Sequence, residues 1–170
     1  MINHLPDRLD LYSAAEAGRE LRGRIKLARL VRALPQFESP EGELEVSLTL
    51  ARDEDGTRYL AGSVQGRLVL LCQRCLEPLE YPLGLTFRLG LVHSQEQIQG
   101  LSDRYEPLLI TGEPASLAEI ITDEVLLALP IVPLHSGTST CRPPAMDNQT
   151  PEGNRRESPF DVLAQLKQKT

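Results

Sequence analysis

The chain contains no tryptophan, and only three phenylalanines and four tyrosines in 170 residues. Its core must rest on Leu, Val and Ile. The scarcity also excludes a platform of interleaved aromatic and basic residues, the device that grips single-stranded bases. Long apolar runs are missing as well. The longest, around Val125 to Leu134, is broken by Pro130 and Pro133 and falls short of the roughly 20 residues a membrane-spanning helix needs. Met1-Ile2-Asn3-His4-Leu5-Pro6-Asp7 lacks the basic start and apolar stretch of a signal peptide, so a soluble, cytoplasmic protein is expected. Cysteine is sparse at three residues; one is left over if a disulfide forms, and in a reducing compartment no disulfide framework is expected. Neither G-x-S-x-G, H-E-x-x-H nor a Gly-rich phosphate loop occurs. Nothing in the sequence reads as an enzyme.

An excess of positive charge is absent too. The net charge of -6 argues against a chain that coats nucleic acid. The charge is unevenly spread, however: residues 1–37 carry Arg8, Arg19, Arg22, Arg24, Lys26, Arg29 and Arg32, while the stretches Glu38 to Asp55 and Glu96 to Glu124 are acidic. Arg22, Arg24, Arg29 and Arg32 are the candidates for phosphate contact. A mixed, solvated surface is the plainer reading of such runs.

What is present suits an α+β domain over residues 1–135. Leu11 to Ala17 reads as a short helix stopped by Gly18, and Glu20 to Leu27 as a strand with Leu21, Ile25 and Leu27 on one face. A second short helix is expected over Ala28 to Leu34. The competing single helix from Tyr12 to Leu34 meets Gly18 and Gly23. From Glu43 the pattern alternates as in half-buried antiparallel strands: Glu43 to Leu50, an Asp55-Gly56 turn, Tyr59 to Ala61, Gly66 to Leu71, and Leu83 to Leu91. Residues 93–104 read as a loop and Glu106 to Ile110 as a short edge strand with Pro107 in it. Ser116-Leu117-Ala118-Glu119 is a capping box opening a helix that runs to Pro130, apolar nearly all round in its second half. The economical topology is an antiparallel meander, open or curled towards a barrel, with flanking helices. Residues 136–157 read as a flexible linker. Ser158-Pro159-Phe160-Asp161 then starts a C-terminal amphipathic helix over residues 158–170, with Phe160, Leu163 and Leu166 on its docking face. So short a helix needs a surface to hold it.

One constellation has metal-type spacing. Cys72-Gln73-Arg74-Cys75 places two thiols where they can chelate one zinc ion at a strand end, and a structural site needs two further ligands. His135 and Cys141 are the remaining suppliers. Without a second C-x-x-C the plain alternative is a tight turn with reduced, metal-free thiols and no cofactor. Asp123 and Glu124 point about 100° apart on one helix, which favours one solvated acid and one partner-facing acid over a shared site.

Leu71-Cys72-Gln73-Arg74-Cys75-Leu76 resembles the C-x-R-C-L hallmark of the YceD family of large ribosomal RNA subunit accumulation proteins. The resemblance recurs in family order. It takes in Tyr105-Glu106-Pro107, then Asp123 to His135 with its L-P-x-V-P-x-H exit. It ends in Ser158-Pro159-Phe160-Asp161-Val162-Leu163, which resembles an N-P-F-x-V-L signature with Ser158 in place of Asn. The first sixty residues match only in layout. The resemblance implies a non-enzymatic cytoplasmic factor for synthesis, processing or stability of 23S ribosomal RNA. Some relatives carry a cysteine-rich C-terminal segment that would complete a zinc site with the first pair. Here that region keeps only Cys141.

Three readings of mechanism follow. In the first, the sheet presents a docking surface to a large-subunit precursor, its RNA or an assembly protein, with the tail helix as anchor and no membrane or small-molecule substrate involved. In the second, the basic N-terminal arginines contact RNA directly. The third is a zinc- or thiol-dependent module using Cys72 and Cys75.

Overall fold

The computed structural model describes residues 5–111, 114–137 and 141–143. The expected tail helix over residues 158–170, with Phe160, Leu163 and Leu166, lies outside the described residues, as does most of the expected linker.

Strand β1 (Arg8–Leu9) leads into α1 (Leu11–Glu16), followed by β2 (Glu20–Lys26), β3 (Glu43–Arg52), β4 (Arg58–Leu71) and β5 (Pro78–Val92). A helical turn α2 (Gln95–Ile98), β6 (Glu106–Leu109), β7 (Ala115–Ser116) and α3 (Leu117–Ala128) complete the described chain. The five-stranded sheet has the order β2-β3-β4-β5-β6. Strands β2 to β5 form the expected antiparallel meander, whereas β6 runs parallel to β5. Among the described residues the sheet is open, not a closed barrel. The short β1 and β7 pair with each other, a contact too brief to leave a sequence pattern.

Alternation decides which face is buried. Leu44, Val46, Leu48 and Leu50 of β3 lie beside Leu60, Val64, Leu68 and Leu70 of β4, and Leu83, Phe87, Leu89 and Leu91 of β5 extend the same face. Leu11, Ala14 and Ala15 of α1 and Leu117, Ile120, Ile121 and Val125 of α3 join the same core. Each fully buried Leu or Val stabilises by about 1.5–3 kcal/mol relative to exposure. The opposite face carries Ser47, Thr49, Ser63, Gln65, Thr86 and Arg88 towards solvent.

Helix α1 is capped by Asp10, whose Oδ1 accepts from the Ser13 amide at 2.8 Å. It ends before Gly18, which takes a φ of 60° and rules out a helix continuing to Leu34. The short helix expected over Ala28 to Leu34 is replaced by two 3-10 turns, Leu27–Arg29 and Leu34–Gln36. Leu27, Leu30 and Ala33 are all buried along this stretch. The Ser116 hydroxyl accepts from the Glu119 amide at 3.4 Å, as the capping box requires.

Two strands outrun their sequence limits. Gly62 and Gly66 do not divide the β4 region; one strand of 14 residues passes through both, because each glycine makes room for a neighbour. Strand β5 likewise begins at Pro78 and includes Pro82. Strand β6 covers only Leu89 to Val92, so both prolines lie where one side of β5 has no strand partner and no ladder donor is needed. The second half of α3 is also not sealed: Val125 is buried, but Leu127 is exposed.

Candidate metal centre

The β4–β5 connection is built from the C-x-x-C. Strand β4 ends at Leu71, and the chain folds back on itself through backbone hydrogen bonds from Cys72 N to Glu77 O (3.0 Å) and Leu76 N to Cys72 O (2.9 Å). Leu76 adopts a φ of 58° to close this turn, a left-handed conformation that glycine favours. The segment leaving α3 is fastened to the same turn, with the Gln73 amide donating to Pro133 O at 2.9 Å. That bond carries the next residues to the cysteines.

The result is a convergence of four side chains. The ligand atoms of Cys72, Cys75, His135 and Cys141 all lie within 4.8 Å of one another. Cys72 Sγ and Cys141 Sγ are 3.6 Å apart, and Cys75 Sγ is 3.4 Å from His135 Nδ1. Cys72 and Cys141 are buried, and Cys75 and His135 half-buried. Cys141 falls inside the segment expected as a linker, yet it packs against the end of the sheet.

The electrostatics differ from sulfur to sulfur. Burial alone would raise the Cys72 thiol, but backbone amides of Cys75, Arg74 and His135 and the Cys75 side chain hydrogen-bond to it and bring it down to about 5. Cys141 is pushed up to about 11, first by burial and then by hydrogen bonds and like charge from Cys72 and Cys75. Amide donors aimed at a sulfur favour its thiolate form. On the far side of the imidazole, His135 Nε2 lies 3.2 Å from the carbonyl oxygen of Pro78. A carbonyl only accepts, so Nε2 carries the proton and Nδ1 presents its lone pair to the sulfurs. Pro78 O, Pro133 O and the left-handed Leu76 have no sequence signal, because their roles are played by the backbone.

The remaining candidates sit elsewhere. Arg22, Arg24, Arg29 and Arg32 are exposed, and all four face carboxylates. Arg29 pairs with Asp7 at 2.6 Å, Arg32 with Asp123 at 2.7 Å, Arg24 with Glu45 at 3.3 Å, and Arg22 reaches Glu20 at 3.9 Å. The pairing offsets the positive charge this segment offers to phosphate. Asp123 and Glu124 have separate surroundings: Asp123 holds Arg32, whereas Glu124 is raised by partial burial and by the charges of Glu106 and Asp123. His93 stacks on Tyr12 with ring centroids 4.0 Å apart, and His4 lies outside the described residues. A network that periodicity does not reveal joins Asp53 to Tyr105 and Arg104, each at 2.8 Å.

Comparison with known proteins places these features in a family. A protein of Haemophilus influenzae, "Large ribosomal RNA subunit accumulation protein YceD", is 31% identical over 171 aligned residues, which cover 97% of each chain. No solved structure matches. The sequence model described as "Large ribosomal RNA subunit accumulation protein YceD" matches residues 60–167, from β4 through the cysteine turn and α3 and beyond. On both grounds the chain belongs to the YceD family.

Proposed function

We propose that the chain is a non-enzymatic cytoplasmic factor that supports accumulation of 23S ribosomal RNA by docking on a precursor of the large ribosomal subunit. The family name points to the process. Docking is supported by the surface at the end of α3 and just beyond it. Ile131 is 99% exposed, and Leu127, Val132 and Leu134 are exposed with it. The Gln73–Pro133 hydrogen bond holds this apolar run to the cysteine turn, next to a groove of about 440 Å³ lined by Phe37, Leu70, Leu129 and Val132. A fixed, solvent-facing apolar run beside a groove is the kind of surface that a partner covers. No helix among the described residues is long and apolar enough to cross a membrane.

The paired arginines make direct phosphate binding by the N-terminal segment the weaker version. Removing the protein from cells is expected to lower mature 23S RNA relative to 16S RNA. The wild-type chain should restore the ratio, and a chain with Ile131→Asp and Val132→Asp should not. An unchanged ratio after removal contradicts the reading. RNase treatment of the captured complex separates the partners: retention by protein survives digestion and retention by RNA does not.

A further inference from the structure

We propose that Cys72, Cys75, His135 and Cys141 together bind one zinc ion, in a closed structural site that clamps the chain beyond α3 onto the β4–β5 turn. The inference stands on geometry and is independent of the proposed role in ribosome biogenesis.

Zinc in a structural site is tetrahedral, with sulfur at about 2.3 Å and imidazole nitrogen at about 2.0–2.1 Å. Those lengths put ligand sulfurs about 3.8 Å apart, and sulfur about 3.5 Å from nitrogen. The chain has 3.6 Å between the Cys72 and Cys141 sulfurs and 3.4 Å between Cys75 Sγ and His135 Nδ1. All four ligand atoms fall within 4.8 Å of one another, so a closure of no more than about 1 Å at the widest pair brings every one to a single tetrahedral ion.

The surroundings match the donor set. The Pro78 carbonyl fixes the tautomer that frees Nδ1, the outer partner that metal-bound histidines usually have. Imidazole and thiolate suit zinc among the divalent ions. Four protein ligands leave no position for a water or substrate, which makes the ion structural and leaves it no catalytic role.

The topology gives the site its consequence. Its ligands come from the turn at 72–75, from His135 after α3, and from Cys141. The ion would close a loop between Cys72 and Cys141, and it would hold the apolar run at 131–134 at a fixed angle to the sheet. Such a clamp converts binding free energy into local folding. A second C-x-x-C is not needed, because His135 and Cys141 supply the other half.

The test uses the full chain, made without a metal-affinity tag and without chelator, in reductant. Elemental analysis is expected to find about one zinc per chain. Cobalt(II) added to the stripped protein should give the intense visible bands of a tetrahedral ion and a thiolate-to-cobalt charge-transfer band, both displaced by zinc. Cys141→Ser and His135→Ala should each weaken cobalt binding at least tenfold. Hydrogen exchange at the Gln73 amide should speed up when the metal is stripped from the wild-type chain. Zinc below about a tenth of an equivalent with no cobalt spectrum would overturn the proposal. So would a Cys72–Cys141 disulfide under the same conditions, or iron in place of zinc. The wild-type cobalt spectrum decides the matter even if a variant fails to fold.

Discussion

Gly62 and Phe87 face each other across β4 and β5, and the Phe87 ring occupies the space a side chain at position 62 would need. A Cβ built on Gly62 would lie 2.2 Å from Phe87 Cζ and 2.6 Å from Cε1. The glycine that looks like a break in the strand is therefore a socket within it. Gly62→Ala should destabilise the chain by about 1–3 kcal/mol, as overpacking does in a tight core. Adding Phe87→Leu should recover part of that loss. Urea denaturation of the two single variants and the double variant reads the coupling; strictly additive effects would contradict the contact.

This pair also shows how far the sequence carries. Alternation in Glu43 to Leu50 and Leu83 to Leu91 reveals which residues face the core, and Ser116 and Glu119 mark where α3 begins. Strand length was not legible, because Gly62, Gly66, Pro78 and Pro82 carry local signals for breaks that neighbours override. Phe87 and Leu44 fill the two glycine sockets, and the unpaired side of β5 tolerates the prolines. The parallel direction of β6 depends on a path through residues 93–105 that has no period. At the candidate metal centre, Cys72, Cys75, His135 and Cys141 were readable as a possible ligand set, and the path that brings them together was not. That path depends on the Gln73–Pro133 hydrogen bond, which any residue pair could make.

Leu76 gives a second stability prediction. Its φ of 58° costs a β-carbon-bearing residue about 1–2 kcal/mol, and a β-branched residue suffers most. Leu76→Val should lower the urea midpoint in zinc-containing buffer, by about 1 kcal/mol in stability. Leu76→Gly should leave it unchanged or raise it. A loss with glycine as large as with valine would contradict the left-handed turn.

Two acids should respond to pH with opposite sign. Glu124 is raised, by burial first and then by Glu106 and Asp123. A carboxyl raised in the fold favours folding while protonated, and that contribution is lost as pH rises through its folded pKa. Glu124→Gln should therefore raise the melting midpoint near neutral pH, and the gain should vanish below the usual carboxylate range of about 4.

Asp53 is the reverse case. Burial would raise it, but hydrogen bonds from Tyr105 and the Thr57 amide, with Arg104 alongside, leave it lowered. Its contribution is present above the ordinary carboxylate pKa and lost as pH falls through the depressed value. Asp53→Asn should lower the midpoint near neutral pH, and the deficit should shrink in acid. Melting curves of both variants across pH check the two signs; a deficit for Asp53→Asn that does not change with pH would contradict the second.

The arginine segment offers a prediction about partners. Replacing Arg22, Arg24, Arg29 and Arg32 with Ala should leave the salt dependence of any RNA binding nearly unchanged, because each already faces a carboxylate. A phosphate contact at each would instead lower the slope by about 0.7–0.9 per residue. Binding titrations at several salt concentrations separate the two, and a large drop in slope would reassign the segment to RNA.

The most direct test is sedimentation of lysate through a gradient, with the chain followed by immunoblot. The wild-type protein is expected to travel in part with large-subunit precursors. A folded Ile131→Asp, Val132→Asp variant is expected to stay at the top. Wild-type protein that remains free under every growth condition, even after mild crosslinking, would contradict action by docking.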